Sequence, residues 1–248
     1  MKILKSIFQF FWSIYFISGF MFLMIIALII FKIQYLIFKT KYETQFKDFV
    51  FRGIGNFMQI VFFLKTENHY HFKYDKTQSY IVVGNHNAAV DIPLNTSTCP
   101  KEINIKFLSK AEAAKIPFVG PLIKNLSVLV ERKNSSSRRK TFELMAAELE
   151  KGYSIFLYPE GTRNRSKEPL KEFYNGAFKL AIEHQLPIVI CTLVGTKKVN
   201  SPDKLMSFLP GKIISHWEKP IETIGLTMND IDLLKEKVKK IMIDRIQS

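Results

Sequence analysis

The chain reads as an α/β protein with a mixed, largely parallel sheet flanked by helices, behind an N-terminal hydrophobic membrane-anchoring helix or helix pair. Two observations give this class. From Ser79 onward, short apolar runs alternate with segments whose apolar residues recur at helical spacing, the pattern of strand–helix–strand units. Ahead of them, Ser6–Phe31 is a run of 26 uncharged, mainly apolar residues. About 20 such residues cross a bilayer as a helix.

The N-terminal run lacks the short apolar core and small-residue cleavage site of a signal peptide. It therefore reads as a retained anchor over residues 1–40, with residues 41–248 as the second domain. Trp12 and Tyr15 suit a membrane interface. Lysines flank both ends, Lys2 and Lys5 before and Lys32, Lys39 and Lys41 after, so loop charge gives little guide to orientation. Gly19 falls mid-run. One reading is a single span; the other is a pair, Ile7–Ser18 and Phe20–Phe38, dipping into one leaflet. Phe46–Leu64 reads as a helix lying against the membrane.

Strands are expected at Tyr80–Gly84, Ile105–Ser109, Ser127–Glu131, Ser154–Tyr158, Ile188–Val194 and Lys212–Trp217. Phe142, Met145, Ala146 and Leu149 share one helical face, with Ser135–Ser137 as possible caps. Phe173, Ala177, Leu180 and Ala181 share another. Ile231, Leu234, Val238 and Ile241 line a lysine-rich C-terminal helix. Ser135–Lys140 reads as a short solvated loop.

The chain has 248 residues and a formal net charge of +14. Outside the anchor the remainder keeps a net charge of +10. Such a surface suits nucleic acid, anionic lipid or acidic substrates. No nucleic-acid-binding signature is present, so an anionic membrane surface is the better partner. Cys99 and Cys191 lack C-x-x-C spacing and read as reduced, buried thiols. No cofactor and no zinc site is suggested; in Asn68–His71 the two histidines alternate as on a strand and read as surface residues.

The chemistry gathers in two segments. Asn85-His86-x4-Asp91 follows the apolar run Tyr80–Val83. A histidine with an acidic partner is equipped to take a proton from a weak nucleophile. Seventy-two residues after His86 begins Tyr158-Pro159-Glu160-Gly161-Thr162-Arg163, also behind an apolar run. A glycine beside Thr162 and Arg163 suits gripping a phosphate. Residues five apart point about 140° apart on a regular helix. His86 and Asp91 therefore meet only across a strand-to-helix turn. Together the segments suggest an enzyme that activates a hydroxyl on a phosphorylated substrate.

These motifs, in this order and at this separation, make the chain resemble the 1-acyl-sn-glycerol-3-phosphate (lysophosphatidic acid) acyltransferases of the glycerolipid acyltransferase superfamily. The resemblance covers roughly residues 78–220. Two looser blocks accompany it: Ser127–Arg132, without a glycine ahead of its apolar run, and Leu186–Cys191, opened by Pro187 but lacking a closing proline. Ala88 stands where many members carry serine. The resemblance implies transfer of a fatty acyl group from acyl-CoA or acyl carrier protein to the sn-2 hydroxyl of lysophosphatidic acid, giving phosphatidic acid. It implies a membrane location with the catalytic domain on the cytoplasmic side, among membrane lipids. Other lysolipids or glycerol 3-phosphate remain alternative acceptors. A non-catalytic, basic, membrane-bound lipid-binding protein is the alternative outside enzymes. A phosphate-ester hydrolase is disfavoured by the lack of a carboxylate cluster for metals.

In that frame His86 is the general base and Asp91 fixes its tautomer. Arg163 binds the acceptor phosphate, with Gly161 admitting close backbone approach and Thr162 adding a donor. Glu160 orients Arg163 or bonds the glycerol backbone. Arg132 and Lys110, each ending a strand, complete a basic pocket, although Lys110 serves equally as a solvated surface residue.

Overall fold

The computed structural model describes residues 2–38, 44–130, 135–204 and 206–248. In chain order the elements are α1 (Lys2–Phe38), α2 (Thr44–Val61), β1 (Leu64–Tyr70), β2 (Ile81–Gly84), α3 (Asp91–Thr98), β3 (Ile105–Lys110), α4 (Gly120–Leu126), β4 (Ser127–Val130), α5 (Ser135–Glu150), β5 (Ser154–Leu157), α6 (Gly176–Glu183), β6 (Ile188–Val194), α7 (Thr196–Val199), β7 (Gly211–Trp217) and α8 (Ile231–Gln247). The seven strands form one sheet in the order β1-β7-β6-β2-β5-β3-β4. All pairs are parallel except β6–β7.

The central strands are apolar on both faces because both faces are covered. Side chains alternate between the faces. Ile81, Val83, Ile155, Leu157, Ile188 and Ile190 meet Met145 of α5, Phe178 and Leu180 of α6, and Val238 and Met242 of α8 in one buried cluster. The intervening Val82, Phe156, Val189 and Cys191 join Phe107 and Trp217 on the other side. The helical spacing read from Phe142, Ala177 and Leu234 marks the covering faces of α5, α6 and α8.

A third cluster ties the N-terminal helices to the body. Phe16, Leu23, Met24, Ala27 and Phe31 of α1 pack with Met58, Phe62, Leu94, Leu193 and Phe208. Phe16 stacks on Phe208 at 4.1 Å and lies 4.2 Å from the Phe62 ring. Ser13 Oγ accepts from the Phe208 N–H, and Tyr15 donates its hydroxyl to the Val61 carbonyl.

Helix α1 runs unbroken through Gly19, which matches the single-helix reading and not the division into a pair. The glycine serves close packing instead: a Cβ at this position would sit 2.9 Å from the Phe62 ring. Thirty-seven residues make a helix about 55 Å long, longer than a bilayer core of about 30 Å. Residues Ile3–Ile37 are long and apolar enough to cross a membrane.

Two expectations change. Ser135–Lys140 opens α5 rather than forming a loop, so the three serines lie inside the helix and do not precede it. Strand β1, unassigned from the sequence, joins the sheet edge beside β7. Its exposed polar residues hide the alternation that usually announces a strand.

Candidate active site

Strand β2 lies between β5 and β6, parallel to both. The loops leaving the carboxyl ends of these three strands therefore meet, in the crevice where open α/β sheets hold ligands.

The first loop is set by Asn85. Its side-chain amide donates to the Leu193 carbonyl and accepts from the Leu193 N–H, both at 2.8 Å. It acts as a substitute strand partner for β6. His86 comes next and α3 begins at Asp91, which gives the strand-to-helix turn the two residues require. His86 Nδ1 lies 2.9 Å from Asp91 Oδ2. The same oxygen accepts from the Asn87 and Ala88 N–H groups at 2.6 and 2.8 Å. Asp91 is fully buried, while the His86 side chain stays 17% exposed. Its Nε2 has no hydrogen-bond partner among the described residues. A bond from the Ala89 N–H to Asn200 Oδ1, 3.0 Å, ties in the end of α7.

The second loop carries Glu160. Sequence reasoning places this carboxylate beside Arg163 or on substrate; the structure places it elsewhere. It is completely buried, Oε1 accepting from the His86 N–H at 2.8 Å and Oε2 from the Lys171 N–H at 2.9 Å. Both oxygens are thus spent on the scaffold. Burial raises its carboxyl above the ordinary value, against the opposing pull of those two donors. Gly161 has φ +70°, the left-handed region glycine enters without strain. That turn carries the chain past Glu160 to Thr162 and Arg163.

Thr162 is exposed and its hydroxyl accepts from Lys171 Nζ at 2.7 Å. Arg163 is half-buried and makes neither ion pair nor hydrogen bond among the described residues. Lys110 is exposed at the end of β3. Arg132 lies outside the described residues. Arg165 faces Asp203 at 3.8 Å on the surface.

Four contributors were not singled out from the sequence. Tyr158 stacks on His86, ring centroids 4.2 Å apart and 19° from parallel. Its hydroxyl accepts from Asn95 at 2.9 Å, and burial drives its pKa far up, so it stays neutral. Asn164 donates its N–H to the His86 carbonyl at 2.7 Å. Tyr158 and Asn164 flank the second motif, so proximity was a signal. Lys171 and Asn200 are delivered only by folding.

The arrangement supplies an oriented imidazole, open on Nε2, beside a glycine turn with a cation that has no acidic partner among the described residues. Among those residues the site holds no metal-ligand cluster.

Comparison with known proteins bears on the family and the fold. The acyltransferase family profile matches residues 63–194, more than half of the chain. A putative 1-acyl-sn-glycerol-3-phosphate acyltransferase of Caenorhabditis elegans is 27% identical over 69% of this chain and 62% of its own length. The 1-acyl-sn-glycerol-3-phosphate acyltransferase of Haemophilus influenzae is 29% identical over 75% of this chain and 76% of its own. The matched region spans 55–62% of the length of the C. elegans, yeast and mouse relatives. The 1-acyl-sn-glycerophosphate (LPA) acyltransferase PlsC of Thermotoga maritima shares the fold, with a TM-score of 0.76, 18% identity, and coverage of 100% of this chain and 97% of that one. On the extent of the profile match, with both motifs inside it, the chain belongs to the acyltransferase family.

Proposed function

We propose that the chain transfers a fatty acyl group from a thioester, acyl-CoA or acyl carrier protein, to the sn-2 hydroxyl of 1-acylglycerol 3-phosphate, giving phosphatidic acid. The 2.9 Å contact of His86 Nδ1 with Asp91 Oδ2 carries the reading. Accepting the Nδ1–H, Asp91 leaves Nε2 as the basic nitrogen, and Nε2 is the open one. The relatives' names and the glycine turn support the phosphorylated acceptor.

His86 Nε2 takes the proton of the acceptor hydroxyl as its oxygen attacks the thioester carbonyl. The C–O bond forms, the tetrahedral intermediate collapses and the C–S bond breaks. The proton on Nε2 passes to the departing thiolate, and His86 returns to its starting state. Asp91 stabilises the imidazolium in between. No enzyme nucleophile is needed, because the substrate's hydroxyl fills that place.

Arg163 and Lys171 hold the acceptor phosphate, Arg163 in a bidentate way. Glu160 and Asn164 position His86 through its backbone N–H and carbonyl. Helix α1 keeps the enzyme at the membrane where the acceptor lies, with the site on the cytosolic side, where acyl thioesters are made.

The test is the purified intact chain in detergent with labelled acyl-CoA and 1-acylglycerol 3-phosphate. The expected product is labelled phosphatidic acid with one free thiol released per turnover. Thiol release without labelled lipid would replace the reading with a thioesterase.

A further inference from the structure

Three residues outside the His86 crevice converge at the β1–β7 edge of the sheet. Trp217, at the carboxyl end of β7, pairs with Cys191 of β6, which pairs with Gly84 at the end of β2. The cluster is thus level with the end of β2 but two strands across, and His216, next to Trp217, points to the other face of the sheet. His216 stands one residue before the end of β7, paired in register with His69 of β1. His71 follows β1 directly, its N–H bonded to the Trp217 carbonyl at 2.9 Å. The rings of His71 and His216 lie 7° from parallel, and those of His69 and His216 15°. Glu218 follows β7.

His71 Nε2 is 3.4 Å from His216 Nδ1 and 3.7 Å from Glu218 Oε1. The three atoms all lie within 4.8 Å of one another. Zinc binds imidazole nitrogen and carboxylate oxygen at about 2.0–2.2 Å in a tetrahedron, which sets ligand-to-ligand edges of roughly 3.3–3.5 Å. Two of the three edges are within a few tenths of an ångström of that. A side-chain rotation of His216 or Glu218 closes the third.

We infer that His71 Nε2, His216 Nδ1 and Glu218 Oε1 form a binding site for a divalent transition-metal ion with the ligand preferences of zinc. Two imidazoles and one carboxylate suit such an ion, whereas magnesium and calcium take oxygen sets. His216 and Glu218 are buried and His71 is exposed, so the ion enters from the His71 side and keeps its fourth position there. Arg245 of α8 donates to both Glu218 oxygens at 2.6 and 3.1 Å. Ligating carboxylates are held this way by a second layer of bonds. The arginine's charge opposes the ion and keeps affinity below that of an uncompensated site. The bound ion clips edge strand β1 to the exit of β7 and, through Arg245, to α8. It shares no ligand with the acyl-transfer site and joins strand ends to a helix, so its role is structural. The sequence hid the site because His216 lies 145 residues beyond His71.

The intact, untagged protein, stripped with chelator, is titrated with Zn2+ by equilibrium dialysis and by thermal melting, with Co2+ absorption as a probe of geometry. One equivalent should bind and raise the melting temperature, since a ligand held only by the native state stabilises it. His71→Gln, an exposed change that preserves folding, should weaken binding at least tenfold and abolish the rise. His216→Gln should do the same, and His184→Gln should change nothing. Equal binding by the protein and its His71→Gln variant, or no zinc-dependent rise in the melting temperature, overturns the site.

Discussion

Glu160 accepts the backbone N–H of His86 at 2.8 Å. A fully buried carboxylate in the loop after β5 thereby fixes the backbone of the loop after β2, and the two sequence motifs become one structural unit. Its second oxygen holds the Lys171 N–H, which sets where the Lys171 side chain leaves the chain toward Thr162.

Glu160→Gln tests this bracing. An amide has one oxygen, so one of the two N–H donors would face an NH2 group. An unsatisfied buried donor costs about 1–3 kcal/mol, read as a lower melting temperature. Displacement of His86 should lower turnover by about 10²-fold. The pH dependence follows from the raised carboxyl. The native state binds this proton more tightly than the unfolded chain does. The stability it contributes is full below the ordinary glutamate value and is lost as pH rises through the raised one. The melting difference between the protein and the variant should therefore shrink as pH rises across that window; a constant difference would show that the group does not titrate there.

His86→Ala should lower turnover by roughly 10²- to 10⁴-fold, the usual effect of removing a positioned general base. Asp91 keeps its bonds to the Asn87 and Ala88 N–H groups in that variant, so folding should persist. Asp91→Asn should also reduce turnover, because an amide no longer fixes which imidazole nitrogen carries the proton. Near-normal turnover in His86→Ala, measured at equal protein, would remove His86 from the chemistry.

The local part of this site was legible in the sequence and the tertiary part was not. Six apolar runs located six strands to within a residue at either end, because buried strands are apolar throughout. The turn joining His86 to Asp91 followed from helix geometry. For Glu160 the sequence offers two roles, orienting Arg163 or bonding the glycerol backbone, and the structure shows neither. Its true partners are an N–H from another strand's loop and one eleven residues downstream, contacts that periodicity does not encode. Gly19 left a single span and a helix pair both open, because glycine is a poor helix former in isolation. Packing against Phe62 overrides that preference.

Arg163→Ala should raise the apparent KM for a phosphorylated acceptor. A lost hydrogen bond to a charged group is worth about 1.5–3 kcal/mol, or roughly 10- to 150-fold in kcat/KM. Arg163→Lys should recover only part of it, because an ammonium is not bidentate. Lys171→Met, which removes the cation beside Thr162, should act in the same direction. Unchanged acceptor kinetics in both Arg163→Ala and Lys171→Met would place the phosphate elsewhere.

Phe16→Ala tests whether α1 is part of the folded body. Phe16 is 3% exposed between the Phe62 and Phe208 rings. Removing a buried phenylalanine costs about 3–5 kcal/mol, seen as earlier melting in detergent micelles. Phe22→Ala, at an exposed position on the same helix, should melt like the parent protein. Identical melting of both variants would reduce α1 to a loose tether.

The acceptor is the sharpest test, because two separate features define it. Arg163 and Lys171 call for a terminal, doubly charged phosphate. Helix α1, with apolar residues such as Phe11, Phe22 and Ile33 facing outward, calls for a substrate that lies in the membrane and carries an acyl chain. 1-Acylglycerol 3-phosphate meets both demands, glycerol 3-phosphate only the first and lysophosphatidylcholine only the second. In a competition assay with all three at equal concentration, 1-acylglycerol 3-phosphate should take most of the label. Preference for lysophosphatidylcholine would break the phosphate argument while leaving the membrane argument standing. Preference for glycerol 3-phosphate would do the reverse, since a soluble acceptor gains nothing from an enzyme held at the bilayer.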